Sequence, residues 1–144
     1  MPKSIFVNLP AADLERSIAF YKALGAEQNH QFSDETGACM VFSETIHVMI
    51  LTHDKFRQFT PKRIADAHET SEVLIALSAD SRAAVNEIVG QALAAGGREA
   101  RPAEDHGWMY GRAFEDPDGH IWEPFWMDVE AAAQAMAQPQ PVKA

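Results

Sequence analysis

The chain is poor in cysteine, in positive charge and in long apolar runs. Cys39 is the sole cysteine in 144 residues, so no internal disulfide can form, which suits a reducing cytoplasm. Lys and Arg number 12 against 21 Asp and Glu, a formal net charge of −9. So acidic a surface repels phosphodiester backbones and anionic lipid heads, so neither nucleic acid nor membrane is an expected partner. No apolar run approaches the ~18 residues of a membrane span. The opening stretch, Met1 to Asn8, is too short in apolar residues for a secretion signal. Gly-x-Gly-x-x-Gly, Walker and Gly-x-Ser-x-Gly motifs are absent, which argues against dinucleotide, P-loop and α/β-hydrolase chemistry.

What is present reads as a globular domain, with 47% hydrophobic and 23% charged residues. Ile5 to Leu9 is β-branched and aromatic, and reads as a strand. Asp13 is a suitable N-cap for a helix carrying Leu14, Ile18, Tyr21 and Leu24, ended by Gly25. Strand-like segments follow near 28–32, 37–43 and 46–52. Residues 54–70 are polar and read as a linker, with one helical turn around Phe56. The pattern then restarts. Val73 to Leu77 is a strand, and Asp80 caps a helix carrying Val85, Ile88, Val89, Ala92 and Leu93. Gly96 and Gly97 end that helix, and strands follow near 98–101, 108–115 and 120–126. The expected organisation is one domain over 1–130, with module one at 3–53, the linker at 54–70 and module two at 71–128. A short helix and polar tail occupy 129–144. Sequential strands without long crossovers imply an α+β fold with a mixed, mostly antiparallel sheet. One helix per module covers one sheet face. The other face must meet the other module, a second chain or a ligand.

The densest information lies at 108–126, which holds six of the chain's 13 aromatic residues. Asp116-Pro117-Asp118-Gly119 has the chemistry of a type I turn between two strands. Alternate strand residues share a face, so Trp108, Tyr110, Arg112 and Phe114 form one row. Ile121, Glu123 and Phe125 form a row on the partner strand, with Trp122 and Trp126 pointing the other way. Such a hairpin serves as packed core or as an aromatic pocket, and both readings stand. Glu123 within an apolar strand is costly unless paired or ligating, and Arg112 is the expected partner. His106, at the mouth of the hairpin, is the best candidate for a functional imidazole. His30, His53 and His68 read as solvated, His47 as a strand edge and His120 as structural. Asn8 shares a face with Phe6 and offers a ligand one amide. Cys39, with no cation beside it, reads as a buried, inert thiol.

Phe-Glu-Asp-Pro-Asp-Gly-His-Ile-Trp-Glu at 114–123 resembles the closing signature of the vicinal-oxygen-chelate superfamily. That superfamily includes glyoxalase I, bleomycin-resistance and fosfomycin-resistance proteins and extradiol dioxygenases. Asp13-Leu14-Glu15-Arg16-Ser17-Ile18-Ala19-Phe20-Tyr21 resembles its first helix. The resemblance implies two βαβββ modules forming a U-shaped sheet around a cavity, and a homodimer. It also implies metal-ligand positions at Phe6, Ile50, Leu74 and Glu123, of which only Glu123 can ligate. A lone carboxylate does not hold a transition metal, so no metal cofactor is expected, although a divalent ion held by other ligands is the competing possibility. The expected function is binding of a small organic molecule by Asn8, Trp108, Tyr110, Arg112 and Phe125. The alternative is a lactoylglutathione-lyase-like lyase or isomerase acting on a small oxygenated substrate. There Glu123 would be the base and His106 or Tyr110 the acid.

Overall fold

The structure is a computed structural model that describes residues 2–137; the polar tail expected at 138–144 lies outside the described residues. Module one runs β1 (Ile5–Ala11), α1 (Leu14–Ala23), β2 (Glu27–Asp34), β3 (Gly37–Val41) and β4 (Ile46–Thr52). A short helix, α2 (His53–Arg57), opens the linker. Module two repeats the order with β5 (Leu74–Ser78), α3 (Arg82–Ala94), β6 (Arg98–Asp105), β7 (Met109–Glu115) and β8 (Ile121–Met127). Helix α4 (Val129–Ala137) follows. The α+β class and the two βαβββ modules are as expected. Each module carries its own four-stranded sheet, ordered β1-β4-β3-β2 and β5-β8-β7-β6. The outer pairs β1–β4 and β5–β8 are parallel and the rest antiparallel.

Local chemistry accounts for the helix boundaries. Asp13 accepts from the Arg16 amide at the start of α1, and Gly25 and Gly96 take the left-handed conformation after α1 and α3. The cap of α3 is Ser81, whose side chain accepts from the Ala84 amide, rather than the expected Asp80. A serine hydroxyl one residue later reaches the same kind of orphan donor. Strand β6 extends to Asp105, four residues beyond the expectation, because β7 pairs with it despite two register shifts.

The modules meet through their helix-covered faces. Phe20 and Tyr21 of α1, Met40, Val48 and Ile50 of the first sheet, Val89 of α3, and Phe114 and Trp122 of the second form one buried cluster. Tyr21 packs edge-on and Phe42 packs tilted against Trp122, with ring centroids 5.7 and 5.5 Å apart. Burying an aromatic side chain of this size contributes roughly 1.5–3 kcal/mol. At the centre, the Trp122 indole N–H donates to the Tyr21 hydroxyl at 3.0 Å. Tyr21 in turn donates to Asp116 Oδ2 at 2.6 Å. The other Asp116 oxygen accepts from the Asp118 and His120 amides. Asp118 accepts from the Ala12 amide and the Ser17 hydroxyl. The two signature segments therefore clamp one module to the other. With the helix faces turned inward, the opposite face of each sheet points outward. Phe6 on one and Leu74 on the other are 52% and 56% exposed.

Candidate functional site

Glu123 stands on the outward face of the second sheet. Trp122 and Pro124 on either side of it are buried, and Trp122 packs into the core, so alternation turns Glu123 the other way. Its parallel neighbour is Ala76. The register of β7 with β8 puts Ala113 opposite it, and Arg101 of β6 pairs with Ala113. The Arg101 side chain crosses over Ala113 and donates from Nη2 to Glu123 Oε2 at 2.5 Å. Ala113 is buried beneath this ion pair. Among the described residues, Arg101 Nη1 has no hydrogen-bond partner, and Glu104 stands 3.9 Å away. Among the described residues, Glu123 Oε1 accepts no hydrogen bond. Ala76, Ala113 and Gly111 leave room around the pair, and Phe125 and Ile121 flank it on β8. The face thus offers a fixed charge pair on an apolar floor.

Arg112 is not the partner of Glu123. It donates to Asn86 of α3 at 3.0 Å and to Glu99 at 3.1 Å, on the helix side of the sheet. Tyr110 also donates to Asn86, at 2.8 Å, and the Arg82 guanidinium lies over its ring. The register explains the difference. Glu115 pairs with Ile121, which places Tyr110 opposite Trp126 and Phe114 opposite Trp122. The row of Tyr110 and Arg112 therefore shares a face with Trp122 and Trp126, not with Glu123 and Phe125. Phe125 is the one expected ligand contact beside Glu123. Trp108 lies just before β7 with its ring stacked on His106, centroids 5.5 Å apart. His106 sits at the far end of the β6–β7 hairpin, 3.5 Å from Glu104. Met109 and Ala113 are four residues apart on β7, so His106 is displaced from Glu123 by about 13 Å along the strands. Neither His106 nor Tyr110 is brought within proton-transfer reach of Glu123.

Asn8 belongs to the outward face of the other sheet. It lines a pocket of about 330 Å³ with Leu51, Phe56, Phe59 and Thr60, where α2 lies over β1 and β4. Its amide donates to Phe6 O at 3.3 Å, and Phe6 stacks on His47 with centroids 4.3 Å apart. Phe56 and Phe59 were not among the expected contacts. The available signal was two aromatics three residues apart in an otherwise polar linker. The Cys39 thiol is pushed up by burial, in keeping with an inert role.

The donor set does not fit a divalent metal. Among the described residues, no three His, Cys, Asp or Glu side chains come together. Of the four positions implied by the resemblance, Ile50 faces the core rather than the outward side, and Phe6 and Leu74 have no ligating atom. Glu123 is engaged by Arg101.

Residues 5–123 match the model of the Glyoxalase/Bleomycin resistance protein/Dioxygenase superfamily. No curated protein sequence matches the chain. Among solved structures, a hypothetical protein from S. aureus, SA1046, is similar at 27% identity and a TM-score of 0.73, over 88% of this chain and 94% of that one. A bleomycin resistance determinant encoded on the transposon Tn5 is similar at 21% identity and a TM-score of 0.62, over 88% and 99% of the two chains. The fosfomycin resistance protein FosX from Listeria monocytogenes is similar at 20% identity and a TM-score of 0.66, over 90% and 97%.

Proposed function

The chain belongs to the Glyoxalase/Bleomycin resistance protein/Dioxygenase superfamily, and from that premise we propose that it binds a small organic molecule without a metal, in a site completed by a second copy. The observation that carries this reading is the Arg101–Glu123 pair on an outward sheet face floored by small residues. A bound polar group would meet this pair, while Phe125 and Ile121 would cover an apolar body. The pocket of Asn8, Phe56 and Phe59 lies on the opposite side of the same chain. Bringing Asn8 and Glu123 into one cavity requires the first sheet of one protomer to face the second sheet of its partner. That arrangement would also cover Phe6 and Leu74.

The test is a thermal-shift screen of small aromatic and keto compounds, followed by calorimetric titration of any that stabilise the protein. Binding is expected in the wild type and to be lost in Arg101→Met with Glu123→Gln. Equal binding by the double variant would refute the assignment. Elemental analysis of chelator-free protein should find no stoichiometric zinc, nickel or iron.

A second reading is a glyoxalase-like lyase or isomerase. It is favoured by the placement of Glu123 on the outward face, where its carboxylate could take a proton from a substrate. Turnover in a glyoxalase assay, lost on Glu123→Gln, would establish that reading over simple binding.

A further inference from the structure

A further cavity lies apart from the Arg101–Glu123 face and adjoins the Asn8 pocket at Thr60. It is a cleft of about 890 Å³ between the linker, the start of α1 and the Asp116–Gly119 turn. Four of the chain's 12 Lys and Arg residues line it: Arg16, Arg57, Lys62 and Arg63. His53 and His68 line it too. In a chain of net charge −9, this concentration of cations needs an explanation. Two carboxylates share the lining, Asp66 and Asp118, and both are already engaged. Asp118 accepts from the Ala12 amide and the Ser17 hydroxyl and lies 3.5 Å from Arg16. Asp66 Oδ1 accepts from the His68 amide within the linker.

Arg16 is held beside Asp118, and the other three cations are less committed. Among the described residues, Lys62 and Arg63 make no ion pair. Arg57 pairs with Asp54, but both side chains are largely exposed, so solvent screens that pair. The linker is held in place against the turn. Gly119 has φ +92°, and a Cβ there would come within 2.7 Å of the Ala67 and His68 backbone. The cleft wall is therefore positioned by packing.

We propose that this cleft is an anion site that takes a small phosphate monoester. Guanidinium forks match phosphate oxygens in pairs, and a lysine adds a mobile point charge. Pro10, Pro61 and Ile64, also in the lining, supply an apolar wall for the organic part of an ester. The volume suits a ligand of metabolite size. The site is independent of the Arg101–Glu123 face, although Thr60 is common to the cleft and to the Asn8 pocket.

The experiment is calorimetric titration of the full chain with inorganic phosphate, glycerol 3-phosphate and adenosine monophosphate, with glycerol and adenosine as neutral controls. Saturable binding of a phosphate compound, but not of its neutral counterpart, is expected. Tighter binding of the esters than of phosphate supports the ester as ligand. Equal binding overturns that assignment in favour of the free ion. Arg57→Gln, Lys62→Gln and Arg63→Gln together should weaken binding by about tenfold or more. Lys3→Gln, Lys22→Gln and Arg98→Gln remove the same charge elsewhere and should leave it within about twofold. Ring resonances of His53 and His68 should shift on titration of the wild type, which localises the ligand even if the triple variant folds poorly. Equal loss in both triple variants, unmoved histidine resonances, or no saturable binding would overturn the proposal.

Discussion

Tyr21 and Asp116 are 95 residues apart in sequence and share a buried hydrogen bond of 2.6 Å. The tyrosine closes the first helix of one module and the aspartate opens the last turn of the other. Trp122 completes the link by donating to the same hydroxyl. Buried polar groups of this kind are costly when left unpaired, so the three side chains fix the relative placement of the modules. The most recognisable residues of the sequence therefore hold the scaffold together.

Tyr21→Phe should destabilise the protein by about 2–3 kcal/mol, because it leaves an Asp116 oxygen without its donor and the Trp122 N–H without its acceptor. Urea unfolding measures this. A loss below about 0.5 kcal/mol would show that water replaces the hydroxyl at no cost.

The same cluster sets a pH dependence. Burial raises the Asp116 carboxyl above its ordinary 3.8, and outweighs the lowering by His120 and Tyr21. A raised carboxyl pKa means that the folded state holds the proton more tightly than the unfolded one. Its contribution is thus fully present below 3.8 and is lost as pH rises through the folded value. The stability of wild type relative to Asp116→Asn should fall with rising pH in that window, then level off. A relative stability that rises there would contradict the assignment. Burial also pushes Tyr21 well above its ordinary 10.0, so stability should fall again as pH climbs past 10, and Tyr21→Phe should lack that loss.

Removing Arg101 should hurt more than removing its pair. Arg101→Met leaves Glu123, with 21% of its side chain exposed, without its cation. We expect a loss of about 1–2 kcal/mol, discounted for partial exposure, with most of it recovered in Arg101→Met with Glu123→Gln. Arg112→Ala should act through Asn86 and Glu99 instead, and its effect should be additive with Glu123→Gln. Strong coupling between Arg112 and Glu123 in a double-mutant cycle would contradict the observed pairing.

If a second copy covers the outward faces, sedimentation should give about twice the 15.9 kDa chain mass at micromolar concentration. Phe6→Glu or Leu74→Glu should shift the protein toward monomer without unfolding it, since both side chains are exposed in the single chain. A monomeric wild type would remove the basis for a composite site.

Much of this protein is written locally. Asp13 at the start of α1, Gly25 and Gly96 after the helices, and the Asp116–Gly119 turn act within a few residues, so the order of elements and the duplicated module are legible along the chain. The need to pair Glu123 is also legible, because a carboxylate in an apolar strand has few alternatives. Its partner is not. Alternation assigns residues to rows, but only the pairing of Glu115 with Ile121 decides which rows share a face. That pairing sends Arg112 to the helix side and leaves Glu123 to Arg101, on a strand whose register against β7 shifts twice. The meeting of Tyr21 with Asp116 and the gathering of cations around the linker are long-range outcomes of packing. Sequence specifies short-range hydrogen bonding and hydrophobic period; tertiary structure decides which distant charges become neighbours, because that depends on how the sheets turn and on which faces are buried.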